Sequence, residues 1–230
     1  MRLWLCLATL SVVGGTLHAQ PVLPVEDSAE APIQRVEKRA LGVLPNYRTA
    51  DAGEAASPIT ARRKMFIAYK DSTDFPVFPT AGIFAAIYQW SGQNPSFGQG
   101  ARGYALRYAT AYSDQVIGNF MIEGVLPSLL HEDPRYFRRG AGRGGKGSRL
   151  LYAMSRVFVT RTDSGRSSFN FSEFGGNVVT AAAGNAYYPG SRRLGDNVKR
   201  FYINIGSDAL GFVLKEFSPD IMHAFRGRKK

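Results

Sequence analysis

The chain has 230 residues, a length that suits one domain with appended tails. Its single cysteine, Cys6, excludes an intrachain disulfide, and a net charge of +11 calls for an anionic partner. Lipid headgroups or another acidic envelope polymer fit that charge. Nucleic acid does not, since the chain opens on an export-type segment and carries no nucleic-acid motif.

Met1-Arg2 is a short basic start, Leu3 to Val13 is an apolar run of signal-peptide length, and Leu17-His18-Ala19 forms a cleavage site before Gln20. The run is too short to span a bilayer, so residues 1–19 read as a cleaved signal and the mature protein as exported and cysteine-free. Residues 20–57 are rich in Pro, Ala, Glu and Asp without apolar period, and read as a disordered linker. That stretch holds four basic against six acidic residues, and Arg2 is the signal's one charge. The basic domain, 58–230, therefore carries +12.

Thr60 to Tyr69 reads as a short amphipathic helix with Arg62, Arg63 and Lys64 beside Met65, Phe66 and Ile67, a mixture suited to an anionic interface. Pro76 and Pro79 are expected to break it before the apolar run Thr80 to Trp90. From Tyr104 the three- and four-residue spacing of Tyr108, Ala111, Tyr112 and Gln115 predicts a helix that ends at Pro127. Gly140 to Gly147 is a flexible basic loop, and Ser148 to Phe158 has helical period. The alternation from Val157 to Phe171 about Asp163-Ser164-Gly165 reads equally as a β-hairpin or as a helix end with a loop. Ser113-Asp114, Ser172-Glu173 and Ser207-Asp208 each look like a helix start, with Pro127, Pro189 and Pro219 as the matching stops.

The densest chemistry is His131-Glu132-Asp133-Pro134-Arg135-Tyr136. It is not a metal-binding H-E-x-x-H, because Arg135 stands where the second histidine belongs. His131, Glu132 and Asp133 are the candidates for catalysis, and would need Asp163 or His223 beside them. The competing reading is a turn whose acid caps backbone and pairs an arginine. Charges embedded in apolar segments, Arg107, Asp114, Glu123, Arg156, Glu173 and Asp208, together with Arg135, are candidates for a structural ion-pair network. Arg138, Arg139, Arg143 and Lys146 are the candidates for binding an anionic surface. No G-x-S-x-G, phosphate loop or dinucleotide fingerprint is present, so no cofactor and no metal is expected.

The segments GARGYALRYATAYSDQVIGNF, LPSLLHEDPRYFRRG, SRVFVTRTDSG and FNFSEFGGN, over most of 64–222, resemble a family of exported bacterial envelope proteins for which no activity is established. That resemblance implies an envelope location and carries over no catalytic residue. The expectation is a mainly α fold, a bundle of about five or six short helices with a hairpin near 157–171. The alternative is an outer-membrane β-barrel, which the Ala-rich, non-alternating stretches oppose. The function expected is a membrane-associated structural or interaction role through a basic face. The alternative is a lipid- or glycan-directed hydrolase built on His131-Glu132-Asp133.

Overall fold

The computed structural model describes residues 48–50 and 58–227. The signal read over 1–19, and the linker read over 20–57 except for 48–50, lie outside the described residues. The fold is mainly α, as its periodicity predicts.

Helix α1 (Ala61–Thr73) starts where the Thr60 hydroxyl accepts from Arg63 N at 3.2 Å, and stops at the Asp74-Phe75-Pro76 turn. Helix α2 (Val77–Trp90) begins directly after Pro76. Pro79 does not break it, since the first turn of a helix has no use for that missing N–H. A loop with left-handed Asn94 and Gly98 then turns the chain into α3 (Gly100–Asn119). This helix continues through one π-turn, Phe120–Val125, into α4 (Leu126–Leu130). Pro127 therefore sits inside the rod. The wider turn ahead of it leaves the proline at the first positions of a new α-helical segment, where its missing donor costs nothing.

His131, at φ 54°, ends the rod in the left-handed region. Five short strands follow the local demand for partners: β1 (Thr49–Ala50), β2 (Glu132–Asp133), β3 (Tyr136–Phe137), β4 (Val159–Thr162) and β5 (Ser167–Phe169). The hairpin is real, with β4 and β5 paired about the Asp163 turn, and β2 joins it as a third antiparallel strand. Strand β1 runs parallel to β3, with Thr49 opposite Tyr136 and Ala50 opposite Phe137. None of the described strands closes a barrel. Helices α5 (Lys146–Ser155), α6 (Phe171–Ala183) and α7 (Leu194–Gly227) complete the domain.

Three expectations about helix ends are corrected. Ser113-Asp114 lies inside α3 and Ser207-Asp208 inside α7, while Pro219 is also interior to α7. Only Ser172-Glu173 opens a helix, and there Asn170 is the cap, accepting from Glu173 N at 3.1 Å. Asp114, Ser207 and Asp208 of these misread pairs line cavities, a use that local spacing does not distinguish from capping.

One apolar cluster of the core joins Tyr136, Ala153, Val157 and Phe212, with the Tyr136 ring stacked on Phe212 at 5.4 Å. Beside it the buried Glu216 carboxylate accepts from Tyr136 Oη (2.7 Å), Arg149 Nε (2.9 Å), Arg139 N (3.0 Å) and Gly140 N (3.0 Å). Burial works against that charge. The four donors outweigh it and hold Glu216 below the usual carboxylate range. The π-turn is gripped by glycines: a methyl at Gly176 would meet Ile122 Cγ1 at 2.4 Å and its backbone N at 3.2 Å.

Gly176→Ala is expected to destabilise the domain by about 1–3 kcal/mol in urea titration, because part of the obstacle is backbone. A folded pKa below the unfolded one stabilises above the unfolded value, and that stability is lost as pH falls. Glu216→Gln is therefore expected to weaken the dependence of melting temperature on pH below about 4.5.

Candidate functional site

The structure separates the three residues at the His131 knot. The His131 side chain is 84% exposed, with Nδ1 3.9 Å from Asp163 Oδ2, and that carboxylate is bound to Lys64 Nζ at 2.7 Å. Glu132 turns inward and accepts from the backbone of Phe171 (3.2 Å) and Ser172 (2.9 Å), at the positive end of α6. Asp133 grips Arg135, Nη2 to Oδ2 at 2.7 Å. Two carboxylates are thus engaged in folding the turn. His223 is exposed on α7, and Asp220 is bound to Arg149 at 2.6 Å.

The charged centre of the domain lies elsewhere, and its key member is Arg48. Counted by sequence with the linker, Arg48 is instead buried, and β1 fixes it in place. This corrects the disordered reading for 48–50. The guanidinium donates from Nη1 to Glu123 (2.9 Å), from Nη2 to Glu173 (3.3 Å) and from Nε to Pro134 O (2.7 Å). Phe212 lies under it, 5.1 Å from the ring centre. Burial disfavours the cation, but Glu123 and Glu173 outweigh burial and hold Arg48 more firmly protonated than usual.

Each acid is itself doubled. Asp71 of α1 stands beside Glu123, and Asp208 of α7 beside Glu173. Burial first, and Glu123 second, push Asp71 up to about 8; burial and then Asp208 push Glu173 well above its usual range. Lys215 is pushed down by burial and by Arg48. Four helical segments thus each give one acid to a box whose resident cation is an arginine. Among the described residues, no group of three or more His, Cys, Asp or Glu is arranged to hold a metal ion.

Beside the box is a cavity of about 270 Å³ lined by Arg48, Thr49, Asp71, Gln115, Glu123 and Lys215, among others. Thr49 Oγ1 and Gln115 Nε2 are buried there and meet no hydrogen-bond partner among the described residues.

The remaining candidates divide. Glu123, Glu173 and Asp208 belong to the network, and Arg135 pairs with Asp133. Asp114 accepts from Tyr187 Oη and from Tyr188 Oη (2.8 Å). Among the described residues Arg107 pairs with no acid; it binds the carbonyls of Gln93, Asn94 and Gly98 and so ties down the α2–α3 loop. Arg156 lies over the Tyr152 ring. Arg138 turns inward, donating to Lys215 O at 3.0 Å, while Arg139 reaches Ser148 and lies over Tyr152. Arg143 and Lys146 are exposed.

The sequence reading missed Arg48, Asp71 and Lys215. Asp71 sits among polar neighbours, Lys215 is an unweighed cation in the apolar run Phe212 to Phe217, and a single arginine in an aperiodic stretch gives no signal.

Comparison with protein-family models, with curated proteins and with solved structures finds no match. The functional argument therefore rests on the residues themselves.

Arg48→Ala is expected to cost about 3–5 kcal/mol in urea unfolding, because it strands two buried acids. A carboxyl with a raised folded pKa stabilises below its unfolded value, and that contribution is lost as pH rises through the folded one. Stability is expected to fall between about pH 4 and pH 8 through Asp71 and Glu173. Asp71→Asn is expected to flatten that slope, as followed by thermal melts across the range.

Proposed function

We propose that the protein is an exported, membrane-associated protein of the cell envelope that binds an anionic lipid surface in a structural or interaction role. The observation that carries this reading is an apolar surface contiguous with a basic loop. Helix α5 turns Leu150, Leu151 and Met154 outward, with Leu151 71% exposed. Its N-terminal approach carries the exposed Arg143 and Lys146.

The apolar surface continues beyond α5. Phe158, Phe169 and Phe171 are all exposed and are joined through Phe174, with ring centres 4.9 to 5.7 Å apart along the chain Phe171–Phe169–Phe174–Phe158. Residues 138–166 hold eight basic side chains and one acid, Asp163. Aliphatic and aromatic side chains that enter the acyl boundary, next to cations that meet headgroups, are the chemistry of an interfacial helix. No helix among the described residues is long and apolar enough to cross a membrane, which favours lying on the bilayer over spanning it. The export half of the reading rests on the signal-like residues 1–19.

The test is flotation of the purified protein with vesicles of phosphatidylglycerol and phosphatidylcholine, against phosphatidylcholine alone. Binding is expected only with the anionic lipid and is expected to weaken with salt. The double variant Arg143→Glu/Lys146→Glu is expected to reduce it by about thirtyfold or more, at about 1 kcal/mol for each of the two cations lost near the surface. Leu151→Asp is expected to reduce it at constant charge density on the loop. Equal binding to both vesicle types, or none to either, would sink the reading.

A further inference from the structure

The cavity beside Arg48 is one end of a groove. A hollow of about 120 Å³ shares Arg48, Gln115, Asn119, Glu123, Ser207 and Asp208 with it, and in turn shares Tyr88, Asp114, Ile203 and Asn204 with a third hollow of about 180 Å³. Their floor is one stripe of α7, at positions 196, 199, 200, 203, 204, 207, 208, 211, 212, 215 and 218, the spacing of a single helix face. At 1.5 Å per residue this stripe runs about 33 Å. The facing wall comes from α2, α3 and the π-turn.

We propose that this groove binds a linear, uncharged, polyhydroxylated chain, an oligosaccharide strand lying along α7. Three observations independent of the lipid-facing surface lead there. The first is charge. Five acids (Asp71, Asp114, Glu123, Asp196, Asp208) and five bases (Arg48, Arg138, Lys199, Arg200, Lys215) line the three hollows, so the formal charges balance and the groove favours neither anion nor cation. This balance contrasts with the +11 of the whole chain.

The second is unspent hydrogen-bonding capacity of both kinds. Gln115 Nε2 can donate and Thr49 Oγ1 can do either, and both are buried without a partner among the described residues. Glu123, its side chain 3% exposed, lines the groove with an Oε2 that meets no N–H or hydroxyl donor there. Hydroxyl groups suit such a surface because each both donates and accepts.

The third is the meeting of planar amides with an aromatic ring. Asn94, Asn119 and Asn204 line the hollows together with the half-buried Tyr88, whose ring gives apolar surface for the C–H side of a sugar ring. The assigned activity is binding.

The test is saturation-transfer NMR and titration calorimetry on the full chain with maltohexaose, cellohexaose and chitohexaose, and with hexagalacturonate as the acidic counterpart. At least one neutral hexasaccharide is expected to bind with a Kd below about 1 mM. Ser207→Trp and Asn204→Trp fill the groove at side chains that hold no hydrogen bond among the described residues, and each is expected to weaken binding about tenfold or more with an unchanged melting curve. Two variants are used so that one which fails to fold leaves the other to decide. Failure of all three neutral sugars to bind, preference for hexagalacturonate, or binding that folded groove variants leave intact would each overturn the proposal.

Discussion

The guanidinium of Arg48, set among carboxyls that come from α1, the π-turn, α6 and α7, decides where those four segments can stand. A buried charge is tolerable only when it is paired and its remaining donors and acceptors are met. Here each paired acid leans on a second acid, so the cluster needs one strong cation in its centre and protons on its flanks. A lysine would give one point charge, where the planar fork reaches Glu123, Glu173 and the Pro134 carbonyl in three directions at once. The Phe212 ring below the guanidinium joins this polar centre to the apolar core.

That dependence matters because the molecule distributes polarity unusually. Arg107, Glu173 and Glu216 are fully buried, while Trp90 is 90% and Leu194 80% exposed. Charged side chains are seldom fully buried unless paired, and here much of the interior is built from such pairs. Directional bonds to Glu216, Arg48 and Asp133 fix the packing together with the apolar contacts, with glycines at the π-turn letting backbones approach closely enough for the bonds to form.

Much of the α-helical plan was legible in the spacing of aromatic and aliphatic residues, and the hairpin showed in its alternation about Asp163. Glu123, Glu173 and Asp208 stood out as acids in apolar company. Their common partner did not. Arg48 lies 75 positions from Glu123 and 125 from Glu173, on a strand of two residues, too short to have a period. The helix ends failed for a related reason: a Ser–acid pair or a proline has the same local chemistry at a terminus, next to a π-turn or facing an interior cavity. Only the neighbours brought in by the fold distinguish these cases. The same holds for the groove, whose walls come from segments that share no local pattern.

The parallel pairing of β1 with β3 has a topological consequence. The residue that completes the charged centre enters from upstream of the described helices, and seven residues separate Ala50 from Pro58. During synthesis Arg48 emerges before any acid it will meet, so the domain closes only after α6 and α7 exist. A single cut between Ala50 and Pro58 would turn an intramolecular insertion into a bimolecular one and forfeit the effective concentration that the tether confers. The short peptide would then be a dissociable ligand of its own domain, and whether the helices stayed together would depend on how much of it was in solution.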